Sequence, residues 1–145
     1  MSTVHLETAV RSVGRLLLGA VLLVAGVGHF VNTEEFYGQV PPWLPLDERF
    51  VVLASGVVEL ILGVALVIGF RRVVVGWVVA AFFVAVFPGN VSQYVTGSDA
   101  FGLETDTSRL VRLFFQPLLV VWALWCTGAW AAWRSGKRVW SGERA

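Results

Sequence analysis

Three ionisable side chains lie inside apolar stretches of the sequence, and these residues are the ones that could do chemistry. Glu59 stands in an apolar run from residue 50 to residue 70 that contains no other charged residue before Arg71. His29 lies near the end of the first apolar run, and Arg112 lies within the last one. A carboxyl and an imidazole can exchange protons, and a guanidinium can hold a carboxylate. An ionised carboxylate in a bilayer costs about 3 kcal/mol or more, so Glu59 is expected to have a partner or a task.

The elements that must position these residues are transmembrane helices. The 145 residues are 57% hydrophobic and 14% charged, which is too apolar for a soluble domain of this size. Crossing a hydrocarbon core takes about 20 helical residues. Four stretches reach that length, namely residues 13–31, 50–69, 73–94 and 110–133. We therefore predict an all-α, single-domain bundle of four transmembrane helices, a multi-pass integral protein of the cell membrane that contacts membrane lipid.

The charges between these stretches predict the orientation. Cations precede the first helix, fill the turn between the second and third, and follow the fourth: Arg11, Arg15, Arg71, Arg72, Arg134, Lys137, Arg138 and Arg144. The other two loops carry Glu34, Glu35, Asp47, Glu48, Asp99, Glu104 and Asp106. The positive-inside rule places both termini in the cytoplasm. A net charge of +1 and acidic outer loops argue against a nucleic-acid partner.

Polar side chains of all four helices are expected together in the outer half of the bundle. They are His29 on the first helix, Glu59 on the second, Asn90 and Gln93 on the third, and Arg112 and Gln116 on the fourth. At about 1.5 Å per residue, Glu59 lies about 14 Å below the outer start of its helix, near the midplane. Arg112 and Gln116 are four residues apart and share a face. We predict a pocket open to the outer side, with Arg112 as the counter-ion of Glu59.

The same pattern also has a purely structural interpretation. Buried polar residues hold membrane helices together, at about 0.6 to 2 kcal/mol per hydrogen bond. We interpret Asn90 and Gln116 in this way. Glu59, His29 and Arg112 are interpreted as a functional set, because packing does not require ionisable groups at such a desolvation cost. The alternative for Glu59 is a protonated, neutral carboxyl, since desolvation favours the uncharged form.

Two proline segments are expected to shape that pocket. Pro88, Gly89 and Asn90 should interrupt and kink the third helix and free a carbonyl near Val84. In the first outer loop, residues 41–45 read Pro-Pro-Trp-Leu-Pro, a stiff extended segment. We expect this segment to lie across the mouth of the bundle as an interfacial lid, with Trp43 in contact with a ligand.

Glycines at helical spacing on the first two helices permit close helix contacts. They are Gly14, Gly19 and Gly26 on the first helix and Gly56 and Gly63 on the second. A residue without a Cβ lets two helix backbones approach in a membrane. Packing is therefore their expected role.

Taken in order, these motifs resemble those of the DoxX-like family of small four-helix membrane proteins. The resemblance covers about residues 11 to 130 and rests on Gly-Val-Gly-His-Phe at 26–30, the 41–45 loop, Ser-Gly-Val-Val-Glu-Leu at 55–60 with Gly63, Arg72, Phe-Pro-Gly-Asn-Val at 87–91, and Arg109, Arg112 and Gln116. It implies similarity to membrane subunits of a thiosulfate:quinone oxidoreductase, to components that link thiol and superoxide detoxifying enzymes, and remotely to a receptor-assembly chaperone. A related branch carries paired cysteines for disulfide formation. This chain has only Cys126, which argues against thiol exchange.

Three functions are the alternatives. The leading one is a pocket for a hydrophobic small molecule such as a quinone, within a complex with other redox proteins, as in a membrane subunit of an oxidoreductase. His29, Arg112 and Gln116 would donate hydrogen bonds to the head group, and Glu59 would take and release the proton. Asn90, Gln93 and Trp43 would complete the binding site. The second alternative is a non-catalytic scaffold or assembly factor, and the third is a proton-transfer enzyme acting on an isoprenoid lipid.

Metal binding and ion transport are disfavoured by the sequence. His5 lies in the N-terminal segment, so His29 is the only buried imidazole. One His with one Glu rarely holds a metal without further ligands. Polar residues confined to one half of four helices give no continuous ion path, unless the chain forms a homo-oligomer.

Overall fold

The computed structural model describes residues 3–99 and 105–136, and it confirms the all-α prediction. Four of its helices are long and apolar enough to cross a membrane: α1 (Thr3–Val31), α2 (Glu48–Ile68), α3 (Arg72–Thr96) and α4 (Asp106–Cys126). A 3₁₀ helix (Thr33–Gln39) and a short helix α5 (Ala129–Arg134) complete the described residues, which contain no strand. The chain is therefore a multi-pass membrane protein. The predicted loop charges Glu104, Lys137, Arg138 and Arg144 lie outside the described residues.

The four long helices form a ring in chain order. α1 packs most extensively on α2, and α3 on α4, while α1 and α4 close a third side and α2 and α3 touch least. In the described residues the diagonal pairs α1–α3 and α2–α4 do not meet. The core between the helices includes Leu18, Leu22, Leu62, Leu66, Val79, Phe83 and Ala123. Large apolar side chains cover the outward faces, as a lipid environment favours: Val24, Ile61, Val84 and Phe114 are each at least 60% exposed.

Two glycine pairs set the spacing of α1 and α2. A Cβ built on Gly26 would lie 3.1 Å from the carbonyl oxygen of Gly56, and one built on Gly56 would lie 3.2 Å from that of Gly26. Gly19 and Gly63 face each other in the same reciprocal way, at 3.1 Å and 3.0 Å. The predicted close packing is confirmed.

The ends of α2 and α3 carry clear sequence signals. Asp47 caps α2 by accepting a hydrogen bond from the backbone N–H of Phe50 at 2.9 Å, the usual role of an aspartate at this position. α2 and α3 end at Gly69 and Gly97, both with positive φ, the conformation that favours glycine at a helix C-terminus. Both predicted spans agree with these helices to within two residues at each end.

The bounds of the first and last predicted helices were wrong. α1 begins at Thr3 rather than at residue 13, because residues 3–12 lack Gly and Pro and Glu7 pairs with Arg11 one turn later at 2.6 Å. α4 ends at Cys126 rather than at residue 133. The Thr127 hydroxyl bonds back to the Ala123 carbonyl at 2.6 Å, and Gly128 adopts φ 75°. These two residues end the helix, and α5 comes next in the chain.

The predicted interruption of the third helix was also wrong. α3 continues through Pro88 as one helix. Gly89 serves a close approach, since a Cβ there would lie 2.6 Å from the carbonyl oxygen of Gln39 in the 3₁₀ helix. The proline costs one backbone hydrogen bond, and the Gln116 side chain of α4 donates to the carbonyl of Phe83, one residue from the carbonyl that loses its donor.

The two ends of the bundle differ in their charges and their loops. The outer end carries the 3₁₀ helix and the first turns of α2 and α4. The basic end carries Arg15, residues 69–72 and Gly128. The loop charges predict that the basic end faces the cytoplasm.

Candidate functional site

A pair of ionisable groups inside the bundle joins α1 to α2. Nδ1 of His29 lies 3.0 Å from Oε2 of Glu59, with the side chains only 10% and 12% exposed. Nδ1 also lies 2.9 Å from the carbonyl oxygen of Ala25, one turn back in α1. The Ala25 carbonyl accepts the aligned hydrogen bond from Nδ1. Oε2 of Glu59 is buried and has no hydrogen-bond donor among the described residues. With two acceptors facing it, Nδ1 carries the proton.

Helix direction explains why these two residues meet. Gly26 and His29 lie one turn apart on α1, as Gly56 and Glu59 do on α2, and the glycines face each other. Helical side chains lean toward the N-terminus of their own helix. In this antiparallel pair His29 therefore leans toward the basic end and Glu59 toward the outer end. They meet beside Gly56, whose built Cβ would lie 2.7 Å from the Cβ of His29.

The 3₁₀ helix covers this pair from the outer end. The ring of Phe36 stacks on that of His29, with centroids 3.8 Å apart and planes 27° apart. Phe36 is 8% exposed. Three residues later on the same side of the 3₁₀ helix, Gln39 packs against Gly89 of α3. The first outer loop therefore does cover the bundle, through the 3₁₀ helix.

Arg112 donates hydrogen bonds to two side-chain amides of the described residues. Its Nη2 donates to Oε1 of Gln39 at 2.8 Å and its Nη1 donates to Oε1 of Gln93 at 3.1 Å. Glu59 acts on Arg112 electrostatically, but the ion-pair contact of Glu59 is with His29. Depth counting found the correct level, whereas the direction of the side chains selected the imidazole.

Asn90 and Gln116 form a second, fully buried link between α3 and α4. Nδ2 of Asn90 donates to Oε1 of Gln116 at 3.0 Å, and Nε2 of Gln116 donates to the carbonyl oxygen of Phe83 at 2.8 Å. That carbonyl neighbours the one at Val84 that loses its donor to Pro88. The contacts agree with the interpretation of these two amides as packing residues.

Trp43, predicted to contact a ligand, is 68% exposed, whereas Pro41 of the same segment is buried. An open depression of about 450 Å³ lies at the outer end and contains none of the predicted site residues. Its lining is Val31, Asn32, Thr33, Glu34, Glu35, Tyr37 and Arg49.

Three residues of functional interest were missed as contributors to the interior. Phe36 and Gln39 belong to the 3₁₀ helix. The spacing of this apolar residue and this amide, three residues apart, is the only sequence signal for the helix. Arg109 was named only within the family resemblance, yet it is 6% exposed and holds Asp99 at 2.5 Å and Asp106 at 2.9 Å. It thereby joins the end of α3 to the start of α4.

The comparison with protein families covers this whole region. A family model described as a domain of unknown function matches residues 18–127, most of the chain. The chain belongs to the DUF8561 family. The DUF8561 match contains every residue of the His29–Glu59 pair, its cover and the α3–α4 amide link, whereas Arg15 and α5 lie outside it. No curated protein and no solved structure gives a significant match to this DUF8561 chain.

Proposed function

We propose that this protein binds a hydrophobic small molecule with a polar head group, a quinone in the leading case, at the His29–Glu59 pair. The observation that carries the proposal is the hydrogen bonding of two atoms, one in the Glu59 carboxyl and one in the His29 imidazole. Oε2 of Glu59 is buried with no aligned donor among the described residues, and the contacts of His29 use Nδ1 and the ring face. A head-group hydroxyl can donate to the Glu59 oxygen that lacks a donor. A head-group carbonyl can accept a hydrogen bond from the imidazole nitrogen that is outside these contacts.

The chemistry of such a head group suits this pair. A protonated imidazole beside the Glu59 carboxylate would donate its Nε2–H to a quinone oxygen. Reduction to the quinol takes up two electrons and two protons. The electrons would come from a partner redox protein. His29 would give its Nε2 proton to the oxygen it holds, the second proton would reach the other oxygen from water, and the Glu59 carboxylate would favour reprotonation of the imidazole from water. Arg112, held by Gln39 and Gln93, would bind the same head group from the α4 side.

Access to the pair would require movement of the 3₁₀ helix, because Phe36 stacks on the imidazole. This helix is held by the contacts of Phe36, by the Gln39–Arg112 hydrogen bond at 2.8 Å and by the packing of Gln39 on Gly89. α2 and α3, which touch least, would admit an apolar tail from the membrane. The 3₁₀ helix would then act as a cover that opens for the head group.

The resemblance to the DoxX-like family supports the redox setting of the proposal. His29, Glu59, Arg112 and Gln116 all fall within the motifs that carry the resemblance. It implies a place in the cell membrane beside an oxidoreductase, with the present chain as the quinone-facing partner. The electron-transferring centre would then belong to another subunit.

The test is mass spectrometry of small molecules that copurify with the protein in native membrane discs. Wild type is compared with Glu59→Gln and with Ser55→Ala, a control on the same helix one turn away. The proposal expects a quinone or another isoprenoid molecule to be enriched with wild type and with Ser55→Ala. The enrichment should be lost with Glu59→Gln. Equal enrichment in all three proteins, or none in any, would contradict it.

A scaffold without a ligand is the second candidate, and the α3–α4 link favours it. Asn90, Gln116 and the Phe83 carbonyl satisfy one another within the bundle, as structural polar residues in membrane proteins do. In this case Glu59→Gln would change only the stability of the bundle. The same copurification experiment separates the two candidates, because a scaffold predicts no molecule whose recovery depends on Glu59.

A further inference from the structure

The basic end of the bundle brings two guanidinium groups to one glycine. A Cβ built on Gly69 would lie 3.2 Å from Nε of Arg72 and 3.4 Å from Nη1 of Arg15. Arg15 comes from α1, whereas Gly69 and Arg72 belong to the turn from α2 into α3. Two like charges from distant parts of the chain therefore border one small volume, where they repel each other unless an anion joins them.

Burial and hydrogen bonds hold the Arg15 side chain in this position. It is 7% exposed, and its Nη1 donates to the carbonyl oxygens of Leu66 and Val67, the latter at 3.0 Å, in the last turn of α2. These contacts leave Nε buried without a hydrogen-bond partner among the described residues. The side chain thus carries a full charge whose hydrogen-bond acceptors are two neutral carbonyls.

No carboxylate of the described residues balances this charge. The ion pairs there are Arg11–Glu7, His29–Glu59, Arg109–Asp99 and Arg109–Asp106. None of them involves Arg15, Arg71 or Arg72. An anion from outside residues 3–99 and 105–136 would neutralise the cluster.

The start of α3 adds backbone donors at the same place. Its N-cap residue Arg71 has φ 35° and makes no side-chain capping hydrogen bond. The first N–H groups of a helix lack partners within the helix, and the positive end of the helix dipole favours an anion there. Arg72 is the first residue of this helix, so its guanidinium and the N–H groups approach the same anion.

The neighbouring surface identifies the source of that anion. Ile68 is 70% exposed and Phe70 is 56% exposed, and both flank the turn at the end of a membrane-crossing helix. Arg71 lies over the Phe70 ring, with Cζ 5.8 Å from its centroid. A free phosphate would gain nothing from these apolar side chains, whereas the acyl chains of a lipid would cover them.

We propose that Arg15, Arg72 and the first turn of α3 bind the phosphate group of an anionic phospholipid. This site is separate from the His29–Glu59 pair and does not depend on the function proposed there. Arg15 supplies a buried guanidinium and Arg72 an exposed one. The phosphate accepts hydrogen bonds from both and from the backbone of α3.

Native mass spectrometry of the delipidated protein tests the site. Wild type, R72Q and R134Q are each titrated with phosphatidylglycerol and with phosphatidylcholine. R134Q is the matched control, since it removes one exposed cation from the short helix at the same end. R72Q should fold, because Arg72 makes no side-chain hydrogen bond to another described residue, and circular dichroism verifies its helix content.

We expect wild type to bind one phosphatidylglycerol in preference to phosphatidylcholine. Loss of a charge-assisted hydrogen bond in R72Q should weaken this binding about tenfold. R134Q should bind as wild type does, and R72K, which keeps the charge, should recover part of the loss. Equal weakening in R72Q and R134Q would mean general surface attraction and would overturn the proposal. So would full displacement of the lipid by millimolar inorganic phosphate, which would assign the site to the free ion.

Discussion

The Glu59 carboxylate lies 3.0 Å from Nδ1 of His29, across a helix interface so narrow that Gly56 borders the Cβ of the same histidine. The pair therefore depends on the glycines as much as on its own charges. A buried ion pair is weak support for stability, because desolvation offsets much of the attraction. The head-group site proposed above would give the pair a role that packing alone does not.

The first prediction concerns which cation Glu59 is coupled to. A double-mutant cycle with Glu59→Gln and His29→Gln should give a coupling energy of about 1–2 kcal/mol in the free energy of unfolding. The cycle of Glu59→Gln with Arg112→Gln should give a smaller coupling energy, since the ion-pair contact of Glu59 is with His29. Denaturant unfolding in mixed micelles measures both. A larger coupling to Arg112 would contradict the contact between Glu59 and His29.

The second prediction uses two glycines of α1 that are two residues apart. Gly26→Ala would place its Cβ 2.9 Å from Leu60 and 3.1 Å from the Gly56 carbonyl, so it should destabilise the bundle by about 1–3 kcal/mol. Gly28→Ala is the control, because its nearest neighbour is Phe36 at 3.6 Å. Alanine is the better helix former by about 0.5–1 kcal/mol, so Gly28→Ala should be neutral or stabilising. Equal losses in the two variants would show that α1 and α2 are not held at this distance.

Some helices of the bundle could be predicted from the sequence more accurately than others. α2 and α3 were predicted well, because their apolar runs end close to Asp47, Gly69 and Gly97, which bound the two helices. The N-terminal start of α1 was missed, since a search for apolar spans does not detect the amphipathic residues before them. An interruption at Pro88 was expected from local rules, whereas α3 continues through it and Gln116 of α4 donates to the neighbouring carbonyl of Phe83.

The candidate site shows the same division between local and long-range information. Depth counting placed His29, Glu59 and Arg112 in the same half of the bundle, but it did not tell which side chains face each other. The lean of helical side chains toward the N-terminus would have indicated the His29–Glu59 contact. The partnership of Arg112 with Gln39 was beyond reach, because the 3₁₀ helix is held in place by tertiary contacts.

The third prediction concerns Arg15. Arg15→Met would leave the carbonyls of Leu66 and Val67 without their side-chain donor, at a cost of about 1–3 kcal/mol in the free energy of unfolding. Arg11→Gln removes an exposed pair with Glu7 one turn away and should cost less than about 1 kcal/mol. Thermal unfolding of both variants in the same detergent gives the comparison. A smaller loss for Arg15→Met than for Arg11→Gln would contradict the assigned contacts.

The fourth prediction concerns the 3₁₀ helix as a cover. His5 and His29 are the two histidines of the chain, and His5 is exposed whereas His29 is buried under Phe36. Diethylpyrocarbonate should therefore modify His5 rapidly and His29 slowly. Phe36→Ala should speed the modification of His29 several-fold and leave His5 unchanged, with Tyr37→Ala as the control on the same helix. Peptide mass spectrometry measures both sites, and an unchanged His29 rate in Phe36→Ala would show that the segment is not the cover.

The most direct test of the central claim observes the histidine itself. Protein labelled with ¹⁵N at the imidazoles, in lipid discs, is titrated with a short-chain quinone and monitored by NMR. Binding at the His29–Glu59 pair predicts a saturable shift of the Nε2 resonance of His29, with no change at His5 and no saturable shift in Glu59→Gln. Unchanged His29 resonances at saturating quinone, or the same shift in Glu59→Gln, would contradict a head-group site at this pair.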